Sequence, residues 1–234
     1  MLELLSYGDA GWGDEILRGA LRTLQLAFGA VVLGLALGLL LALAQLSKSR
    51  LARGAADSFT TVLRGLPELL TLFVVYHGTS IALAGLVEWL GFKGRIEIDQ
   101  FAAATIALGV VFASFASEVF RGAFLAVPKG QIEAGLACGM SRGQIFWRIR
   151  MPQLWRYALP GLGNLWLVLL KDTSLASVIA FDELMREVRV GAETTGKPFV
   201  FFVAAAVIYL IFTALSNVVL ARAERRAARG VRRV

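Results

Sequence analysis

The chain has 234 residues, 57% of them hydrophobic and 18% charged, with a formal net charge of +7. Soluble domains average about 45–50% apolar and about 25% charged residues, so this balance excludes an ordinary soluble protein and indicates a membrane protein. A single histidine, His77, and a single cysteine, Cys138, exclude a zinc cluster and a disulfide framework.

In chain order, the first fifteen residues hold Glu3, Asp9, Asp14 and Glu15 and no lysine or arginine, the opposite of a cleavable signal peptide. Five apolar runs follow: Leu24 to Leu46, Leu66 to Leu90, Phe101 to Phe120, Tyr157 to Phe181 and Phe199 to Ala221. Each is near the ~20 residues needed to cross a ~30 Å hydrocarbon core as a helix. The first is expected to serve as its own insertion signal. No segment between them is long enough for a soluble domain of ~50 residues, so residues 1–234 read as one all-α integral membrane domain.

The basic residues alternate along the connections. Lys48, Arg50, Arg53 and Arg64 follow the first run, and Arg121, Lys129, Arg142, Arg148, Arg150 and Arg156 fill the third connection. Six arginines occupy the tail at 222–234, whereas the second and fourth connections balance bases with acids. This is the positive-inside pattern, and it predicts the N-terminus outside, the C-terminus inside and five crossings. The arginine tail then faces anionic lipid headgroups rather than nucleic acid.

Polar residues inside the runs mark candidate sites. Gly34 and Gly38 have the spacing that lets two helix backbones approach, within the subunit or at an interface. Arg64, Pro67 and Glu68 open the second run; proline suits a helix start, and the three are candidates for an inner-edge gate with Arg64 at the headgroups. His77 is expected as a buried, hydrogen-bonded packing residue rather than a proton relay.

Lys171, Asp172, Thr173 and Ser174 interrupt the fourth run. Ionisable groups there avoid lipid, so these residues, with Glu118, either line a substrate path or mark a helix end with Lys171 reaching the interface. Glu118 has an alternative partner in Arg121, three residues further on. Gly191 to Lys197 has Walker A spacing, but Pro198 replaces the magnesium-binding hydroxyl and removes an amide, so the chain is not expected to bind ATP.

The connection at 128–152 is too long for a bundle turn. Ile132, Leu136, Met140, Ile145, Phe146 and Ile149 recur at helical spacing, which predicts helices lying across the inner face. Gly139 and Gly143 are expected to break them, and Pro152 to end the second piece.

Within this connection, Glu133-Ala134-Gly135, then Gly139, then Ile149-x-Met151-Pro152 resembles the EAA loop of binding-protein-dependent ABC importer permeases, Glu-Ala-Ala-x3-Gly-x9-Ile-x-Leu-Pro. Gly135 stands where the pattern has alanine, and Met151 where it has leucine. The likeness extends from about Gly19 to Val219. Phe120-Arg121-Gly122-Ala123-Phe124, Ala126 to Gln131, Tyr157 to Asn164, Arg64-Gly65-Leu66-Pro67 and Lys171 to Leu175 are similar to polar-amino-acid permeases. Among these the chain resembles the Q-type subunits of histidine/lysine/arginine/ornithine and octopine/nopaline importers.

The resemblance implies a type I, MetI-like permease fold of five spans in a bacterial inner membrane. It implies a non-catalytic subunit working with a second permease chain, an ATPase dimer that holds ATP and magnesium, and a periplasmic solute-binding protein. Cationic amino acids or opines would be the cargo. Glu133, Ala134, Gly135, Gly139, Met140, Ser141, Arg142, Ile149 and Pro152 would form the ATPase coupling element. Glu133 would cap or salt-bridge within the loop, and Gly139 would turn the chain into a docking helix reaching about Phe146.

Two other classes compete. A self-contained channel or secondary transporter calls for internal repeats with paired broken helices, which five unequal runs do not show. A scaffold without transport predicts that changes at Glu133 or Gly139 have no effect.

Overall fold

The computed structural model describes residues 2–8, 11–89 and 99–228, and they are almost entirely helical. Helix α1 spans Gly13–Gln45, α2 Arg50–Gly65, α3 Glu68–Trp89 and α4 Gln100–Ala126. The connection at 128–152 contains α5, Lys129–Ala137, and α6, Arg142–Ile145, whose end runs through a π turn at Phe146–Arg150 into α7, Met151–Asp172. A 3-10 segment, Thr173–Ile179, extends α7; α8 spans Leu184–Thr195 and α9 Pro198–Ala227.

Helices α1 and α4 form the centre, and small residues set how closely they lie. A β-carbon on Gly34 would fall 2.5 Å from Phe112 Cδ1 and 2.9 Å from the Gly109 carbonyl oxygen. One on Gly38 would fall 2.9 Å from the Ala116 side chain. The Gly34/Gly38 pair therefore packs within the subunit, where close backbone approach replaces the hydrophobic drive that lipid does not supply. Helix α7 covers another side of α4, with Gly161 against Val119. Helix α9 is pinned to α7 by a hydrogen bond from Trp166 Nε1 to Ser216 Oγ of 2.9 Å.

Four helical stretches are long and apolar enough to cross a membrane: Gly13–Gln45, Gln100–Ala126, Arg142–Ile179 and Pro198–Ala227. A bent pair of helices supplies up to a fifth. Helices Arg50–Gly65 and Glu68–Ala82 meet the same test only together, and they are bent by 112° at their junction. Pro67 accounts for the break, since it offers no amide and forces the preceding residue into an extended conformation. Leu66 has φ −96° and ψ 142°.

The structure departs from the sequence reading in several places. The first crossing starts at Gly13, about a dozen residues early, because Asp14 and Glu15 suit the positive end of the helix and Arg18 pairs with Asp14 at 3.0 Å. Helices α2 and α8 were expected as connections. Gly143 does not break the chain, and Pro152 does not end a helix: it follows the π turn inside one continuous stretch. Proline at 152 cannot donate to the Arg148 carbonyl and its ring crowds it, and the widened turn at 146–150 accommodates both effects. Leu90, the second-connection charges Lys93, Arg95 and Glu97, and the tail arginines 229, 232 and 233 lie outside the described residues.

Candidate functional site: a docking turn and an intramembrane cavity

The candidate docking turn is built from two successive stop and start signals. Helix α5 ends in a Schellman motif: Met140 N donates to the Gly135 carbonyl at 3.0 Å and Gly139 N to the Leu136 carbonyl at 2.9 Å. Gly139 takes φ +76°, the left-handed conformation that glycine adopts without a side-chain penalty. Ser141 then starts α6 with a capping box, accepting from Gln144 N at 3.3 Å while its own amide donates to Gln144 Oε1 at 2.8 Å.

Helix α5 folds back onto the following helix. A β-carbon on Gly135 would sit 2.8 Å from Ile149 Cδ1 and 3.2 Å from Ile145 Cγ1, so glycine replaces the family's alanine where the two helices touch. Gln153 bridges the pair, donating to Gln131 Oε1 and to the Ile149 carbonyl. The resulting groove of about 430 Å³ is lined by residues including Ala134, Gly135, Cys138, Met140, Arg148 and Ile149.

Around this groove Glu133, Ala134, Ser141 and Arg142 are exposed, Met140 is half-buried, and Pro152 is exposed behind it. Glu133 has no cap or ion-pair partner among the described residues, against expectation; it lies on the outer face of α5. Leu136, one of the helically spaced apolar residues, is 53% exposed, and Trp147, which the sequence analysis does not single out, is 68% exposed and edge-on to Phe146 at 5.3 Å. An isolated tryptophan in a polar connection was the signal available.

The second feature is a cavity of about 170 Å³ between α3, α4 and α7, with Glu68 and Asp172 as its charged lining residues. Its walls include Leu108, Val111, Phe112 and Phe115, in the middle of α4. Glu68 therefore faces the middle of α4, because the bend at Pro67 lets α3 begin beside it. Two residues assigned to different roles, a gate and a path, share one space.

The other polar candidates do not line this cavity. Lys171 is exposed. The hydroxyls of Thr173 and Ser174 donate to the carbonyls of Leu170, at 2.8 Å, and Lys171, at 2.7 Å, closing the 3-10 turn. Glu118 is held in an ion-pair cluster: Arg121 Nη2 approaches Oε2 at 2.6 Å, while Arg64 Nη2 at 3.6 Å and Gln45 Nε2 at 3.3 Å reach Oε1. His77 is exposed, not buried, and stacks on Phe73 at 6.0 Å. The Walker-like Gly191 lies inside α8 against the Phe201 ring, and Gly196, at φ +66°, ends that helix, so the segment is no phosphate loop.

At the other end of the bundle, α8 is fastened to α1. Glu183 caps α8, accepting from Arg186 N at 3.0 Å, and Thr23 Oγ1 donates to its carboxylate at 3.3 Å. Asp182 pairs with Arg22 at 3.1 Å and with Arg186 at 2.7 Å.

Long apolar helices, with a sharply bent pair beside two cavity-lining carboxylates, define a multi-pass membrane protein. The chain belongs to the family described as the binding-protein-dependent transport system inner membrane component, which it matches over residues 34–229. It is 44% identical over 223 residues to the histidine/lysine/arginine/ornithine transport system permease protein HisQ of Escherichia coli (strain K12), covering 95% of this chain and 97% of that one. It is 43% identical over 232 residues to the octopine transport system permease protein OccQ of Rhizobium meliloti, covering 99% and 98%.

Among solved structures, a chain of an amino acid ABC transporter with histidines superposes with a TM-score of 0.78 at 30% identity, covering 92% of this chain and 95% of that one. The inward-facing MetNI methionine ABC transporter shares the fold, with a TM-score of 0.72 at 19% identity and coverage of 92% and 96%. The protein is a multi-pass permease component of a binding-protein-dependent transport system.

Proposed function

We propose that this subunit moves cationic amino acids, or opines derived from them, and that Glu68 and Asp172 are the residues of this chain that face the cargo. The observation that carries the reading is their shared cavity beside the middle of α4. Two carboxylates in an otherwise apolar enclosure are expensive to keep there, and a guanidinium or ammonium group offsets that cost by charge-assisted hydrogen bonding. HisQ and OccQ, similar over nearly the whole chain, carry such cargo in their names.

The subunit pairs with a second, different permease chain, with its N-terminus outside and its C-terminus inside. The turn from Glu133 to Arg142, with Ile149 and Pro152 behind it, seats in a groove of the ATPase on the inner side. Exposed Glu133, unpaired within the described residues, and exposed Leu136 and Trp147 are available for that contact. Arg64, Pro67 and Glu68, at the bend between α2 and α3, form the gate.

The test is uptake into proteoliposomes holding both permease chains, the ATPase and the binding protein. Asp172→Asn and Glu68→Gln should each lower uptake of radiolabelled arginine by about tenfold or more, the loss of one charge-assisted contact, with normal assembly. Unchanged uptake in both variants removes the cavity from the path.

A further inference from the structure

Glu118 is placed to do more than neutralise its neighbours. Its two arginine partners differ in kind. Arg121 lies three residues along the same helix, so its 2.6 Å contact is set by the geometry of α4 and persists however that helix moves. Arg64 is on α2, across the bundle, at 3.6 Å. Gln45, on α1, supplies a third partner at 3.3 Å and also reaches Thr60 Oγ1 of α2 at 3.3 Å. If Arg64 withdrew, Glu118 would keep Arg121 and Gln45. Opening this contact leaves no uncompensated carboxylate, which is the usual reason an intramembrane pair cannot break.

The position of Arg64 also matters. It is in the last turn of α2, immediately before the 112° bend, and Glu68 is in the first turn of α3, immediately after it. Pro67 fixes its own φ and restricts Leu66, so the elbow transmits displacement instead of absorbing it. Glu118, for its part, lies on α4, which leads through Val127 and Pro128 directly into α5 of the docking turn. The Arg64–Glu118 contact thus joins the helix above the docking turn to the elbow that presents Glu68 to the cavity.

We propose that Arg64 and Glu118 form a releasable latch: closed, it holds the 64–68 elbow against α4 and so positions Glu68; open, it lets α2 and α3 swing while Arg121 and Gln45 keep Glu118 compensated. Both are positioning residues. Glu118 is thereby assigned to the mechanics of the subunit and not to cargo contact. The proposal rests on the ATP-coupled transport reading and adds to it a specific moving contact.

The test uses the complete transporter in lipid nanodiscs with its partner permease, ATPase and loaded binding protein. The chain has one cysteine, Cys138, so in a Cys138→Ser background spin labels at exposed Val62 on α2 and exposed Leu125 on α4 report the distance across the latch. The distance should differ between the nucleotide-free and ATP–vanadate-trapped states. Arg64→Gln should shift the nucleotide-free distribution toward the trapped one and raise ATP hydrolysis without loaded binding protein by about two- to fivefold, the bias expected of a partly exposed pair. Arg64→Lys, which keeps the cation, should restore most of both readouts, and the thermal stability of the complex should not change.

A wild-type distance that is the same in both states overturns the latch. So does an Arg64→Gln transporter with wild-type distances and unchanged or lowered basal hydrolysis. Failure of the underlying transport reading is distinguished in the same preparation by Gly139→Trp: if ATPase co-purification and uptake survive that change, the coupling assignment itself is wrong.

Discussion

Gly135 on α5 and Ile149 in the π turn touch so closely that a methyl group on the glycine would lie 2.8 Å from Ile149 Cδ1. The obstructing atom is the far end of a side chain, which can rotate. Alanine also gains about 0.8–1 kcal/mol in helix propensity over glycine. The two effects nearly cancel, so Gly135→Ala should change the stability of the transporter by less than about 1 kcal/mol and leave uptake intact. Gly135→Leu cannot be absorbed this way. It should separate α5 from the following helix and abolish co-purification of the ATPase, with residual membrane insertion as the control.

The turn between α5 and α6 depends on two local devices, and each can be removed alone. Gly139 at φ +76° tolerates no side chain without strain, so Gly139→Val should cost more than the ~1 kcal/mol typical of alanine in this conformation. Ser141→Ala removes one half of the capping box and should cost about 1 kcal/mol. Amide hydrogen exchange over residues 139–146 should quicken in both variants. Unaltered protection would show that the turn is held by something other than its caps.

The α1–α4 contact makes a steeper demand. At Gly34 the nearest obstructions are the Phe112 ring and a backbone carbonyl, and backbone cannot give way as a side-chain tip can. Gly34→Leu should destabilise the subunit by several kcal/mol, in line with overpacked interiors, read as a lower unfolding temperature and poor recovery from membranes. Exposed Gly54, with open space around it, is the matched control and should accept leucine with little change.

Glu183 gives a pH signature. Burial pushes its carboxyl from 4.5 up to about 7, against the opposing pull of the Met185 and Arg186 amides, Thr23 and Arg189. Below pH 4.5 the group is protonated folded or unfolded. Between 4.5 and 7 only the folded chain retains the proton, so stability falls as pH rises through this window and levels off above it, by about 3 kcal/mol at most. Unfolding temperatures in nanodiscs at pH 5 and pH 8 should show the loss. Glu183→Gln should remove most of it, leaving the smaller slope of Glu187, whose carboxyl is also raised by burial.

Much of this molecule can be read from residue order alone, for identifiable reasons. Long apolar stretches announce α1, α4, α7 and α9 because a helix that crosses lipid has no other composition available. Gly139 announces its turn, and the Gly34/Gly38 pair its close contact. Helix α2 is not legible in the sequence because its charges resemble those of a loop, and only its packing on α1 and α4 reveals it as part of the bundle. Helix α8 was hidden the same way behind a phosphate-loop likeness. That Glu68 meets Asp172 could not be seen, since their approach depends on where the second span breaks in depth. Glu118 was a candidate for the path, and its cluster with Arg64 and Gln45 depends on the same unread fold.

The uninterrupted run of turns from Arg142 to Ile179, 38 residues, has the reach of a lever. From Arg142 at the docking turn to Asp172 beside the cavity is about 45 Å at 1.5 Å per residue. A tilt of only about 5° pivoting near the docking turn would sweep the far end through roughly 4 Å. A carboxylate moved by that amount would pass from hydrogen-bonding distance to none, so on the function proposed above a modest rocking at this turn would suffice to hold a charged guest and then release it.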